Sequence, residues 1–158
     1  MSAKVLVRLD GIPGECADLQ HRDWIEAATF RLGASAAPGP DGLAGPGHAQ
    51  VDELRIGKVV DLASPRLLEA CLSGRHIKEV VVEVIRLPTR VKVLEYRFQD
   101  VFVVAVDVEI GGDEAVSTEL EQVRLSFGKV RMTYHHKAAS GALAQTGFGW
   151  DLAAGEAL

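Results

Sequence analysis

The sequence predicts a mainly β protein, a compact β-barrel with one short α-helix at about residues 64–73. Two observations lead to this prediction. Apolar and polar residues alternate with a period of two through most segments, which is typical of half-buried strands. One short segment has a helical pattern, and a single short helix among many strands usually plugs or flanks a barrel. A length of 158 residues is typical of one domain, so we expect residues 1–158 to form a single domain.

The N-terminal third is predicted to contain two strands and a turn. Val5, Val7 and Leu9 share one face of a strand at residues 4–10, which runs into the turn DGIPGE at residues 10–15. Residues 21–32, HRDWIEAATFRL, are predicted as a second strand. A helix is the competing interpretation of this segment, because its Ala-Ala pair favours helices and its alternation is weak.

Residues 33–47, GASAAPGPDGLAGPG, are predicted to be an extended flexible loop. Five glycines and three prolines in fifteen residues are poorly suited to a strand ladder or a helix. Loops of this length in compact domains are usually either functional or disordered, and composition leaves both interpretations open.

The helix is predicted from its ends and from its apolar stripe. Ser64 is expected to accept hydrogen bonds from the first turn, Pro65 suits the first helical position, and Gly74 suits a left-handed end. A strand at residues 50–56 precedes the helix and another at 76–86 follows it. The predicted stripe consists of Leu67, Leu68, Ala70, Cys71 and Leu72.

Four more strands are predicted at residues 91–98, 100–110, 119–127 and 130–136. The strand at 100–110 is apolar on both faces for half its length, so we expect both faces to be covered. Gly128 is expected to mark a bulge or a sharp bend. Residues 137–158 are predicted to be a loose C-terminal segment, fixed to the body by Trp150 and Leu152.

The sequence gives no sign of catalysis, of a metal site or of a cofactor. No His-x-His, His-Glu-x-x-His, Gly-x-Ser-x-Gly or phosphate-loop pattern is present. A net charge of −5 argues against nucleic-acid binding. No segment is apolar enough for membrane insertion or for a signal peptide, so we expect a cytoplasmic protein that leaves the cell, if at all, without the general secretory route.

Six short motifs occur in an order that resembles the Hcp family, the haemolysin-coregulated proteins of bacterial type VI secretion. They are DGIPGE at 10–15, HRDWIE at 21–26, Lys58-x-x-Asp61-x-x-Ser64-Pro65, residues 70–74 followed by HIKEV at 76–80, Glu95-Tyr96 with Asp100-Val101, and GWDL at 149–152. Each motif is weak alone, but together they cover nearly the whole chain.

The resemblance implies a ring-forming subunit of the type VI secretion inner tube. Its expected partners are other copies of itself, in a homohexamer whose rings stack, then a contractile sheath, a trimeric spike, and small effector proteins carried in the lumen. It implies no enzymatic activity, no cofactor, and secretion to the extracellular space or a target cell without a signal peptide.

The resemblance also assigns two candidate sites. It places a ring-stacking excursion in the loop, for which the candidate residues are Ala37, Pro38, Gly39, Pro40, Asp41, Gly42 and Leu43. It makes Arg31 a candidate lumen-facing residue, where relatives often carry a small serine; the alternative is a solvated arginine at a strand end. Two other functions stay open: a free secreted ring or effector chaperone of the same family, and a small β-barrel with a ligand in its mouth.

Overall fold

The computed structural model describes residues 2–43, 45, 49–113 and 117–158, without the side chains of residues 117–119. In this part of the chain the elements are β1 (Ser2–Leu9), β2 (Ile25–Ala27), β3 (Thr29–Arg31), β4 (Ala34–Ala36), β5 (Ala49–Val51), β6 (Leu54–Val59), α1 (Ser64–Ser73), β7 (His76–Leu87), β8 (Val91–Gly112), β9 (Ser117–Ser126), β10 (Lys129–Lys137), β11 (Leu143–Asp151) and β12 (Glu156–Ala157). A mainly β fold with one short helix is therefore confirmed, as are the predicted helix bounds.

The main sheet is antiparallel and strongly curled. Its strands follow the order β12–β11–β10–β8–β7–β1–β2, and a branch of β3, β6 and β9 joins it at β8. β2 pairs with β1, and one residue later β3 pairs with β6. The Ala28 N–H between them donates to the Gly57 carbonyl at 2.8 Å. This short segment joins the two margins of the sheet, so the fold is barrel-like although no continuous ladder closes it among the described residues.

Residues 91–112 form one long strand, β8, where the sequence predicted two. The strand bends at Asp100, which has a φ of 57°, and pairs with β10 before the bend and β9 after it. Gly128 lies opposite the bend, as predicted, and its N–H donates to the Gln99 carbonyl at 2.9 Å. An added Cβ on Gly128 would lie 3.2 Å from the Asp100 Cβ, which is a tight contact, so the glycine allows a close approach of the chain at this corner.

Residues 21–32 form a turn and two short strands, which corrects the prediction of one strand and excludes the helix. Asp23 has a φ of 66° and its carbonyl accepts from the Gly14 N–H at 2.7 Å. Residues 21–24 therefore belong to a compact turn packed on the loop after β1. The predicted strand at 50–56 is likewise divided between β5 and β6.

Two segments predicted to lack structure are partly ordered into strands. Residues 143–151 form β11, which pairs along its whole length with β10, so the C-terminal segment is not loose. Its backbone is held by the ladder even though most of its side chains are exposed. In the predicted loop at 33–47, Ala34–Ala36 pair with Ala49–Val51 as a separate two-stranded sheet. Residues 44 and 46–48 of this region lie outside the described residues.

Helix α1 covers the core with one narrow face. Leu67 and Ala70 are buried and Cys71 is half-buried, whereas Leu68 and Leu72 of the predicted stripe are exposed. Gly74 ends the helix at a φ of 66°, as predicted. The N-cap is Ala63 rather than Ser64, and the Ser64 hydroxyl takes part in a buried network instead. None of the described helices has the length and apolar character needed to span a membrane.

Candidate assembly surfaces

The predicted stacking residues form the tip of an arm that leaves the body. We define the arm as β4, β5 and the described tip residues 37–43 and 45. The Leu43 N–H donates to the Asp41 carboxylate at 3.0 Å, and the Gly39 N–H donates to the Leu43 carbonyl at 2.7 Å. These bonds make a local turn at the tip. Leu43 is 69% exposed, so the arm presents an apolar side chain to solvent.

Arg31 lies on β3 and belongs to a row of three arginines. It pairs in register with Arg55 of β6, and Arg55 pairs with Arg124 of β9. Residues directly opposite in an antiparallel ladder share a face, with Cβ atoms about 4.5–5.5 Å apart. All three side chains are exposed, and the alternate residues of β6 and β9, including Leu54, Ile56, Val123 and Leu125, are buried.

Arg55 and Arg124 were not predicted as site residues. Strand alternation in the sequence indicates that each is exposed, but placing them beside Arg31 requires the register of three strands. We call Arg31, Arg55 and Arg124 the arginine row.

A buried charge network fixes the helix to the sheet. The Lys58 ammonium contacts the Glu121 carboxylate at 2.5 Å and the Asp61 carboxylate at 2.7 Å. The Ser64 hydroxyl donates to Glu121 at 3.0 Å and accepts from the Asp61 N–H at 3.0 Å. Lys58 and Glu121 are each about 1% exposed. The spacing Lys58-x-x-Asp61-x-x-Ser64 thus has a structural role at the entry to α1.

A second cluster of charges joins the turn before β2 to strands β7 and β8. His21 contacts Glu83 at 2.5 Å, and Lys92 lies 2.7 Å from Glu95. Burial is the largest single influence on Lys92 and Glu95 and opposes both charges, but it is outweighed by their mutual hydrogen bond together with the neighbouring charges of Glu83 and Arg97. The pKa of Lys92 is therefore raised and the pKa of Glu95 lowered. An open cavity of about 310 Å³ adjoins the cluster, and no group of residues suited to a metal ion occurs in the described part of the chain.

A separate basic groove of about 730 Å³ lies between residues 86–93 and the β10–β11 hairpin. Arg86, Lys92 and Lys137 contribute cations to it, and His135 and His136 also line it. Arg86 and Lys137 have no ion-pair partner among the described residues. The groove is a basic surface outside the barrel.

The barrel interior is filled rather than hollow. The cavity among Val7, Leu9, Ile56, Lys58 and Leu125 has a volume of about 10 Å³, which is room for about one water molecule. No ligand of ordinary size fits there, which weakens the hypothesis of a small ligand-binding barrel.

Several apolar side chains lie on the outside. In β8, Val101 and Val103 are buried but Phe102, Val104, Val108 and Ile110 are exposed, so this strand is not covered on both faces within the chain. Leu62, Leu68 and Leu72 form a second exposed apolar area at α1. Apolar area of this kind is typical of surfaces that meet another subunit.

A filled barrel with an exposed arm tip and exposed apolar side chains has the kind of surface found in proteins that contact other subunits. A family profile described as "Type VI secretion system effector, Hcp" matches residues 6–134. The chain is 25% identical over 158 residues to the protein hcp1 of Pseudomonas aeruginosa, covering 96% of each.

Solved structures agree with this match. Hcp1 from Salmonella typhimurium is similar with a TM-score of 0.78 and 26% identity over 100% of both chains. A type VI secretion system effector from Yersinia pestis is similar with a TM-score of 0.71 and 26% identity, over 93% of this chain and 98% of that one. The chain belongs to the Hcp family. It is a secreted tube protein of type VI secretion and a structural protein rather than an enzyme.

Proposed function

We propose that the chain forms a homohexameric ring with a central channel, and that such rings stack into the inner tube through the arm. The observation that carries this proposal is the arm itself, a separate two-stranded sheet whose tip places Leu43 in solvent. A short two-stranded sheet alone is marginal in water, so a neighbouring copy supplies the packing that the arm lacks in its own chain.

Stacking and ring closure use different surfaces in this proposal. Ring contacts are heterologous, because two different faces of the subunit must meet and the rotation must close after six copies. The exposed apolar side chains of β8 and α1 supply area for them. The arm contacts an adjacent ring, and fixing its exposed tip on stacking costs entropy, which keeps the contact reversible.

The remaining partners follow from family membership. A contractile sheath surrounds the tube, a trimeric spike caps it, and small effectors travel in the lumen, which Arg31 faces. The subunit is made in the cytoplasm and leaves the cell through the assembled machine. A free ring or effector chaperone is the second candidate, and it differs from the first only in lacking stacked tubes.

The test combines light scattering after size-exclusion chromatography with negative-stain electron microscopy. The wild type should elute at about six times the chain mass of 17.0 kDa and give rings and tubes. Leu43→Asp, and separately a deletion of residues 37–45, should keep the rings and abolish the tubes.

Leu19→Asp is the matched control, because Leu19 is 85% exposed and lies outside the arm. It should leave both rings and tubes unchanged. A monomeric wild type would refute the ring, whereas tubes formed by both arm variants would refute the stacking role of the arm. Wild-type rings that never form tubes would favour the free-ring alternative.

A further inference from the structure

The arginine row is an electrostatic cost within the subunit. Like charges directly opposite in a ladder destabilise a sheet. Arg124 has an ion-pair partner, Glu53 at 3.1 Å, but Arg31 and Arg55 have none among the described residues. Packing does not require these cations either, because all three side chains lie on the face opposite the core. A row of this kind is suited to a partner that brings the missing negative charge.

We propose that the arginine row binds a short acidic segment of a protein carried in the channel. The location in the channel rests on the proposed function, in which Arg31 faces the lumen. If Arg31 faces the channel, Arg55 and Arg124 face it too, because the strand register places the three side chains on the same face of the sheet. In a closed hexamer the rows of successive subunits form a belt of guanidinium groups around the channel.

The geometry matches a short peptide segment. Neighbouring strands lie about 4.8 Å apart, so the row is about 10 Å long, which is the reach of about three extended residues. Guanidinium groups bind carboxylates through two parallel hydrogen bonds, which favours aspartate and glutamate side chains as ligands.

The surroundings of the row favour an acidic protein segment over nucleic acid. Asp107 pairs with Gln122 and Glu109 pairs with Leu120, so both carboxylates share the outer face with the row. Both are exposed, and neither has an ion-pair partner among the described residues. A long polyanion that crossed this face would be repelled by the Asp107 and Glu109 carboxylates close to Arg124. A short acidic segment bound to the arginine row ends before it reaches these two carboxylates.

The experiment measures binding of a fluorescent hexaglutamate peptide to the purified protein by anisotropy. The test variant is Arg31→Ser, Arg55→Ser and Arg124→Ser combined. The matched control combines Arg22→Ser, Arg66→Ser and Arg86→Ser, which removes the same charge from exposed sites and includes the basic groove. We expect the test variant to bind about tenfold more weakly and the control to bind like the wild type. Wild-type binding should weaken between about 50 mM and about 300 mM salt.

Each other outcome overturns the inference. Equal losses in both variants would mean that only total charge matters, and a loss confined to the control would place binding in the groove. A single-stranded oligonucleotide that binds more tightly than hexaglutamate, with the same dependence on the row, would replace the acidic segment by nucleic acid. Light scattering on the same samples separates this inference from the proposed function, because intact rings without row-dependent binding refute the inference alone.

Discussion

Lys58 and Glu121 form a 2.5 Å ion pair between β6 and β9, and about 1% of each side chain is exposed. The pair lies under the first turn of α1, where Ser64 also hydrogen-bonds to Glu121. Removing one member of a buried pair leaves an uncompensated charge, which is far more costly than the pair itself is stabilising.

We therefore predict that Lys58→Ala lowers the free energy of unfolding by about 3–5 kcal/mol. The double variant Lys58→Met with Glu121→Met should recover much of this loss, because the fully buried Glu121 carboxylate is then removed as well. Asp61 also loses its ammonium partner, but its carboxylate still accepts from the Ala63 N–H at 2.9 Å. Urea unfolding followed by circular dichroism measures both. A double variant less stable than Lys58→Ala would contradict the argument.

A second prediction concerns the packing of β11 on β10. An added Cβ on Gly147 would lie 2.5 Å from the Met132 carbonyl oxygen, and backbone cannot move aside as a flexible side chain can. Gly147→Ala should therefore destabilise the protein by about 1–3 kcal/mol. Gly111→Ala is the control, since an added Cβ there meets nothing within 4 Å. Equal stability of the two variants would contradict this prediction, because it would show that the β10 and β11 backbones move apart at little cost in free energy.

A third prediction concerns pH. Burial raises the pKa of Glu95, but hydrogen bonds from Lys92 and Arg97 outweigh it and hold that pKa below the usual 4.5. A carboxylate with a lowered folded-state pKa stabilises the protein above its unfolded-state pKa, and this stabilisation is lost as the pH falls through the folded-state value.

Glu95→Gln should therefore be less stable than the wild type at neutral pH, and the difference should shrink as the pH falls below 4.5. Thermal unfolding across the acid range measures this. Glu69→Gln serves as the control, because the Glu69–Arg66 ion pair is largely exposed and contributes little. A stability difference that does not vary with pH would refute the assignment.

The sequence was sufficient for the elements that local chemistry determines. The helix Ser64–Ser73 is correctly predicted because Pro65 in its first turn and Gly74 just after its last residue mark its ends. The motifs, taken together, identified the family. Arg31 could be named only through this resemblance, and its neighbours Arg55 and Arg124 could not be named at all, because cross-strand register depends on residues distant in the chain.

The wrong predictions share a physical cause. β8 was divided because Asp100 interrupts the alternation, although a single residue with positive φ bends a strand without ending it. The C-terminal segment was predicted to be loose because glycine and alanine have low strand propensity. Pairing with β10 along nine registered positions overrides that preference.

The bend of β8 at Asp100, which lies opposite Gly128 between β9 and β10, also bears on the order in which the strands form. At this bend Phe98 pairs with Val130 and Phe102 pairs with Ser126, whereas Leu6 of β1 pairs with Glu83 of β7, which is farther away in the sequence. Pairing between nearer residues requires less loop closure, so we expect the ladders of β8 with β9 and β10 to form first and the β1–β7 ladder later. Pulse-labelled hydrogen exchange should then protect Phe98 and Val130 before Leu6. Until that last ladder forms, the nascent subunit has an open sheet edge, which makes the late stage of folding the time at which premature association with other chains is most probable.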